Sequence, residues 1–130
     1  MTALLLDTHA LLWWLADDPQ LPAAAREAIR DPERSACVSA VSAWEITVKR
    51  ALGKLEVPDE WVSAVEAEGF RRLDITWAHV LEVGELPDVH RDPFDRLLVA
   101  QARVEGLTLV TGDERIAGYD TPILWNGRGG

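Results

Sequence analysis

Two apolar runs, each followed closely by an aspartate, constrain the fold of this 130-residue chain more than any other feature. Residues 3–6 form an uninterrupted apolar stretch before Asp7, and residues 107–110 form a second, largely apolar stretch shortly before Asp113. Runs of this kind predict strands that are buried on both faces, as in a parallel sheet. Because such sheets bind ligands beyond the carboxyl ends of their strands, we expect both aspartates at one edge.

Capping residues and periodicity predict the other elements. We expect further strands at residues 35–38 and 70–75, an edge strand at 123–125, and a loop at 87–91. The predicted helices cover residues 9–16 with Thr8 as cap, 22–29, 39–52 with Ser39 as cap and Gly53 as end, 58–68 ending at Gly69, 76–83 with Thr76 as cap, and 92–106 with Asp92 as cap, Pro93 first and Gly106 as end. Alternating strands and helices predict an α/β fold with a mostly parallel central sheet and helices on both sides.

The composition is that of one globular domain over residues 1–130, with 48% apolar and 27% charged residues. Only residues 127–130 are expected to form a disordered tail. Cys37 has no partner in the chain for a disulfide or a zinc site, which fits a reducing compartment. The apolar stretch at residues 3–16 is interrupted by Asp7 and too short to span a bilayer, so we expect a cytoplasmic protein without membrane contact.

A net charge of −9 argues against a protein that coats nucleic acid by counterion release, because such proteins are normally basic. Any nucleic acid must instead be held by a local basic patch and by metal. The basic residues nearest the acids in sequence are the candidates for contacts with phosphates: Lys49, Arg50, Arg91, Arg96 and Arg115. A solvated surface is the alternative for each of them.

Carboxylates that meet at one sheet edge repel each other and have raised pKa values unless a cation neutralises them. Mg²⁺ suits this role because it prefers oxygen ligands. Glu45 and Asp95 could complete the cluster from neighbouring helices. Each acid also has a purely structural alternative: a cap or turn for Asp7 and Asp113, an exposed i,i+4 ion pair with Lys49 for Glu45, and helix capping for Asp92 and Asp95.

Four segments in order resemble the VapC-type PIN-domain nucleases. They are DTHALLWW from Asp7, SAVSAWEITVKRALGKL from Ser39, DPFDRLLVAQA from Asp92 and LVTGD ending at Asp113. The resemblance implies a three-layer α/β/α fold, a divalent Mg²⁺ or Mn²⁺ ion, and cleavage of RNA phosphodiester bonds. It also implies frequent homodimers and a toxin role that a cognate antitoxin neutralises.

The same resemblance places the metal-binding and catalytic acids at Asp7, Glu45, Asp95 and Asp113. Asp95 is preferred to Asp92 because a capping Asp92 has its side chain engaged by backbone N–H groups. The mechanistic hypothesis is that metal held chiefly by Asp7 and Asp95 activates a water for in-line attack on phosphorus. Phosphate contacts are assigned to Lys49, Arg96 and Arg115.

The histidines and tryptophans are assigned auxiliary or structural roles. His9 and His90 could assist proton transfer, although metal-bound water needs no histidine, and His79 is interpreted as structural. Tryptophans could stack on bases, but Trp13, Trp14 and Trp44 are assigned more readily to the core, a dimer contact or an antitoxin groove on the first two helices.

Three other classes of protein also use clustered acids or share this fold. Haloacid-dehalogenase-like phosphatases normally carry a second Asp two positions after the first, where this chain has His9. Receiver domains need a lysine after a late strand, and none matches. A non-catalytic PIN-like module that binds RNA or protein is the remaining alternative, and metal-dependent turnover distinguishes it from the nuclease.

Overall fold

A five-stranded sheet forms the centre of the computed structural model, which describes residues 2–125. The strand order is β3-β2-β1-β4-β5, and every described pairing is parallel. The mostly parallel sheet predicted from the sequence is therefore confirmed, whereas the tail predicted at residues 127–130 lies outside the described part of the chain. The strands are β1 (Leu4–Leu6), β2 (Ala36–Ser39), β3 (Arg71–Leu73), β4 (Thr108–Thr111) and β5 (Ile123–Trp125).

Six helices and one 3₁₀ turn connect these strands within residues 2–125. None of the helices is long and apolar enough to cross a membrane. The helices are α1 (Thr8–Leu15), α2 (Ala23–Arg30), α3 (Ala40–Ala51), α4 (Trp61–Glu68), α5 (Trp77–Val83) and α6 (Pro93–Glu105), and the 3₁₀ turn is Glu114–Gly118.

The strand residues alternate between two apolar cores, which produces the three-layer architecture. Leu5 and Leu109 face one core, which they share with residues of α6. Leu4 and Leu6 face the other, which they share with residues of α1, α2 and α4. Because successive residues of a strand point to opposite faces, the continuous apolar run of β1 supplies both cores, as its composition predicts.

Helix boundaries follow the predicted caps with two corrections. Ser39, Thr76 and Asp92 each cap the expected helix through a side-chain oxygen. The cap of α1, however, is Asp7 rather than Thr8, since the Asp7 carboxylate accepts the Ala10 N–H and Thr8 already belongs to the helix. Asp7, one residue before the predicted cap, supplies the side-chain oxygen that accepts the backbone N–H at the helix start.

The second correction concerns the segments around α4. The helix begins at Trp61, because residues 58–60 form a turn in which the Trp61 N–H donates to the Pro58 carbonyl. Strand β3 is shorter than predicted and pairs only with β2, and its residues Arg71 and Arg72 are exposed. Only Arg71, Arg72 and Leu73 pair with β2, so the predicted strand at residues 70–75 is too long at both ends.

Candidate active site

A cleft of about 360 Å³ opens where β1 and β4 end, and acidic side chains dominate its walls. Asp7 follows β1 and Asp113 follows β4, while Glu45 reaches the cleft from α3 and Asp95 from α6. The fold therefore brings together the four acids singled out in the sequence. The residues that line the cleft are Asp7, His9, Trp13, Glu45, Lys49, Asp92, Asp95, Gly112, Asp113, Arg115 and Trp125.

Asp7 is fixed at the base of the cleft. One oxygen accepts the Ala10 N–H at 2.7 Å, and the Thr111 hydroxyl also hydrogen-bonds the carboxylate. The residue is only 4% exposed. Burial raises the pKa of Asp7 although these hydrogen bonds oppose the shift, because removing a carboxylate from water disfavours its charged form.

Glu45 is a buried acid rather than one half of an exposed surface pair. It is 3% exposed, and the Thr8 hydroxyl donates to its Oε1 at 2.5 Å. Lys49, one turn later, donates to Oε2. The i,i+4 pair is thus real, but the buried position of Glu45 contradicts the surface alternative. Although partial burial lowers the pKa of Lys49, the hydrogen bond to Glu45 outweighs it and raises the pKa above its ordinary value.

Asp92 and Asp95 both line the cleft at the start of α6, but only Asp92 caps the helix. The Asp92 carboxylate accepts the N–H groups of Phe94 and Asp95, as predicted for a cap. Asp95 lies in the first turn of α6, one turn after the capping residue. Burial raises the pKa of Asp95 to about 8, and the negative charges of the other cleft acids, Asp92 first among them, add to the shift.

Asp113 differs from Asp95 because cationic and polar donors surround it. Arg115 donates to both carboxylate oxygens at 3.1 Å, and the Arg115 N–H also donates to Oδ1. His90 lies 2.9 Å from Oδ2. Partial burial raises the pKa of Asp113, but these hydrogen bonds outweigh it and hold the pKa below its usual value.

His90 connects two of the acids through one ring nitrogen. Its Nε2 lies 3.0 Å from Asp95 Oδ2 and 2.9 Å from Asp113 Oδ2, and the residue is 4% exposed. On the opposite side of the ring, Nδ1 accepts the Asp92 N–H at 3.2 Å. Since a backbone N–H can only donate, the neutral ring must carry its proton on Nε2. His90 is therefore a hydrogen-bond donor to both carboxylates, a role that the sequence analysis missed.

The donor set suits a hard divalent cation. Within the described residues, His90, Asp95 and Asp113 offer atoms that lie within 4.8 Å of one another. The proton on Nε2 makes His90 an orienting group, so oxygen ligands remain. Carboxylates outnumber the cations Lys49 and Arg115 in this cleft. Burial first, and the charges of the other acids second, raise the pKa of Asp95, and a divalent cation bound by these oxygen ligands would favour its ionised form.

Lys49 and Arg115 line the cleft, whereas Arg96 does not. The Arg96 guanidinium donates to the carbonyls of Pro87 at 3.0 Å and Val83 at 3.1 Å, and to the Tyr119 hydroxyl at 3.2 Å. These bonds anchor the loop that carries His90. The phosphate contact expected for Arg96 is thus not supported by its position, because its donors are engaged by backbone carbonyls.

Two further basic candidates also lie apart from the acids. Arg50 donates to the Val57 carbonyl and forms an ion pair with Asp59. Arg91 is exposed and is not among the residues that line the cleft. Proximity in sequence was a poor guide here, because neighbouring residues on a helix or loop point in different directions.

Comparison of the sequence with models of protein families identifies the class of protein that has this fold and this acidic cleft. Residues 4–121 match the model of the PIN domain. The chain therefore belongs to the PIN-domain family, which excludes the phosphatase and receiver alternatives.

The chain is similar to Ribonuclease VapC22 of Mycobacterium tuberculosis (strain ATCC 25618 / H37Rv). The two are 34% identical over 126 residues, which cover 94% of this chain and 95% of the relative.

Solved structures confirm the fold. The DNA-bound VapBC of Salmonella typhimurium gives a TM-score of 0.70 at 19% identity and covers 95% of this chain and 98% of its own. VapBC2 of Rickettsia felis, bound to a DNA fragment from its promoter, gives a TM-score of 0.68 at 15% identity. That match covers 94% of this chain and 97% of the other. FitAcB of Neisseria gonorrhoeae gives a TM-score of 0.65 at 16% identity, and the match covers 93% of this chain and 96% of the other. The expected three-layer PIN-like fold is confirmed.

Proposed function

We propose that this protein is a metal-dependent endoribonuclease and the toxin of a toxin–antitoxin pair. One observation carries the proposal: carboxylates from the start of α1, from α3, from α6 and from the end of β4 line a single cleft. The relationship to a protein named as a ribonuclease supports RNA as the substrate.

Asp7, Glu45, Asp95 and Asp113 are the residues that would hold Mg²⁺ or Mn²⁺ in this cleft. When bound there, such an ion would supply Lewis-acid chemistry, favouring a deprotonated water and neutralising charge on the phosphate oxygens. The carboxylates orient the reacting groups, and Asp7 and Glu45 are kept in place by Thr111 and Thr8.

Lys49 and Arg115 are the residues that we assign to phosphate binding. Both line the cleft and both carry positive charge beside the acids, Lys49 on α3 and Arg115 after β4. In a chain of net charge −9 these contacts provide a local site for an anionic substrate.

A metal-dependence assay on the full chain tests the proposal. Asp7→Asn and Asp95→Asn should each lower cleavage of single-stranded RNA by at least roughly 100-fold, because each removes an oxygen ligand from a centre whose stabilisation is worth several kcal/mol. Asp120→Asn, at an exposed aspartate outside the cleft, is the matched control. Full activity in EDTA, or in both cleft variants, rejects the metal-dependent mechanism at these acids, whereas no cleavage with either Mg²⁺ or Mn²⁺ leaves a non-catalytic PIN-like module.

The proposal also includes an antitoxin partner, a homodimer, a cytoplasmic location and a single PIN domain over residues 1–130. The structural relatives are described as toxin–antitoxin complexes, which supports a partner. Co-purification with the product of an adjacent short reading frame, followed by loss of RNase activity, tests the antitoxin. Light scattering at micromolar concentration that shows only monomer rejects the dimer.

A further inference from the structure

One wall of the acidic cleft is aromatic. The indole rings of Trp13, on α1, and Trp125, at the end of β5, have centroids 5.6 Å apart and planes inclined at 54°. The ring of His9 lies 5.7 Å from that of Trp13. All three side chains line the cleft together with the acids. Trp13 and Trp125 are partly buried against the core and therefore have defined positions beside the site.

The position of Trp125 is unusual for a tryptophan. Its backbone φ is 98°, in the left-handed region that side-chain-bearing residues rarely adopt. Such a conformation persists only where the surroundings enforce it, and it is commonest at functional sites. Strand β5 pairs Trp125 with Thr111, two residues before Asp113. The strained residue is thus adjacent to the end of the strand that presents an active-site acid.

The Trp125 indole occupies space that only a glycine at residue 112 leaves free. A Cβ atom at residue 112 would lie 2.4 Å from one ring carbon of Trp125, so any larger residue would displace the indole. Since Gly112 has no left-handed φ, the close approach of the ring is what requires glycine here. The chain therefore combines a strained backbone and a glycine to keep one indole beside the carboxylates.

We propose that Trp13 and Trp125 form a stacking subsite for an unpaired nucleobase next to the phosphate at the acidic centre. This inference rests on the proposed nuclease function and adds how the substrate is held. Every base has a π-face, so stacking binds single-stranded RNA without strict sequence preference. An acidic chain gains little from general attraction to phosphates, and an aromatic wall supplies affinity that does not depend on charge.

The size of the cleft favours a single strand. Its volume of about 360 Å³ is at the lower end of the roughly 300–1,000 Å³ typical of small-ligand pockets. A cleft of this volume has room for one base and its phosphate, which an unpaired strand can present without disrupting a base pair. Lys49 and Arg115 are placed to contact the phosphate while the indoles contact the base.

Leucine and phenylalanine variants separate stacking from packing. Trp125→Leu and Trp13→Leu keep an apolar side chain and remove the aromatic face, whereas Trp125→Phe and Trp13→Phe keep the face. We expect each leucine variant to raise KM for single-stranded RNA roughly 5- to 150-fold, with little change in kcat, and each phenylalanine variant to recover most of the loss. Trp77→Leu is the control, because Trp77 is 84% exposed on α5 and does not line the cleft.

Abasic oligoribonucleotides test the contact from the substrate side. Binding is measured by fluorescence anisotropy with Ca²⁺ in place of Mn²⁺, using labelled oligonucleotides that lack the base at one position at a time. One abasic position should weaken binding to the wild-type protein at least as much as Trp125→Leu does. The same oligonucleotide should cost Trp125→Leu less than it costs the wild-type protein, and should cost the Trp13→Leu/Trp125→Leu double variant nothing further, since both rings are then absent.

Each outcome decides between the two hypotheses. Leucine variants that fold with wild-type circular dichroism and Mn²⁺ affinity, yet keep wild-type KM, overturn the subsite. An equal abasic penalty in wild-type and Trp125→Leu proteins also overturns it. If wild-type protein cleaves RNA regardless of missing bases, the nuclease stands without the subsite. If it cleaves nothing but binds in a base-dependent and Trp125-dependent way, the subsite stands without the nuclease.

Discussion

His90 shows how one neutral side chain arranges two acids. The Asp92 N–H occupies Nδ1, so the single ring proton lies on Nε2, between Asp95 and Asp113. A donor in this position keeps both carboxylates turned toward the same point. Groups that orient metal-binding residues in this way usually matter nearly as much as the ligands themselves.

We expect His90→Leu to weaken Mn²⁺ binding and to lower kcat by about 10- to 100-fold, the usual effect of losing an orienting hydrogen bond. His90→Gln should recover part of both, because its amide can still donate to the carboxylates. Isothermal titration calorimetry with Mn²⁺ and steady-state cleavage provide the two measurements.

A purely structural role for His90 predicts a different pattern. The leucine variant would then lose thermal stability while its Mn²⁺ affinity, measured well below the melting temperature, stayed at the wild-type value. Tyr119→Phe is a useful companion variant, since the Tyr119 hydroxyl contacts the backbone of His90 and not the acids. It should alter stability more than Mn²⁺ affinity.

At the scale of elements, acids stand where helices begin. Asp7 caps α1, Asp95 is in the first turn of α6, and Asp113 caps the 3₁₀ turn after β4. Unpaired N–H groups at a helix start favour negative charge by about 0.3–1 kcal/mol. The positions that terminate strands and begin helices therefore also present carboxylates to one cleft.

These local signals explain which parts could be predicted from the sequence. Apolar runs, caps and strand-end acids depend on neighbouring residues, so the sheet and the acids Asp7 and Asp113 could be placed without coordinates. His90 and Trp125 could not, because their roles depend on contacts with Asp95 and Gly112 across distant segments. The surroundings of Arg96 could not be predicted for the same reason, since its partners are backbone carbonyls of a folded loop.

The contrast between Arg96 and Arg115 gives an element-scale prediction. Arg96→Gln should lower the free energy of unfolding by about 1–3 kcal/mol, because it leaves loop carbonyls without donors. Arg115→Gln should leave stability nearly unchanged, since its side chain is 69% exposed. Instead it should raise KM and reduce the slope of log KM against log salt by about 0.7, as expected for one lost phosphate contact to a single strand.

Thermal melts and salt titrations of the two variants distinguish these roles. A salt slope that falls in Arg96→Gln but not in Arg115→Gln would reverse the assignment and return Arg96 to the substrate. Asp120→Asn again provides the baseline, because this exposed aspartate lies outside the cleft.

For the whole molecule, the acidic cleft should lower stability whenever it lacks a cation. Asp95 has a pKa of about 8 in the folded protein against an ordinary value of 3.8. Between these values the unfolded chain has lost a proton that the folded chain retains. The free energy of unfolding must therefore fall as pH rises through this window. Asp7, whose pKa is also raised, acts in the same direction, while the lowered pKa of Asp113 matters only below its ordinary value of 3.8.

In EDTA we therefore expect Tm to fall between pH 5 and pH 8, and saturating Mn²⁺ to remove or reverse this trend, because a cation binds the ionised acids. Asp95→Asn should flatten the profile in EDTA and be more stable than the wild-type protein at pH 8. Each pKa unit corresponds to about 1.4 kcal/mol, so even a quarter of the shift should raise Tm by roughly 3–6 °C. Calorimetric melts at matched ionic strength provide the measurement. A wild-type Tm that rises with pH in EDTA, in parallel with Asp95→Asn, would show that the folded cleft carries no excess of uncompensated negative charge.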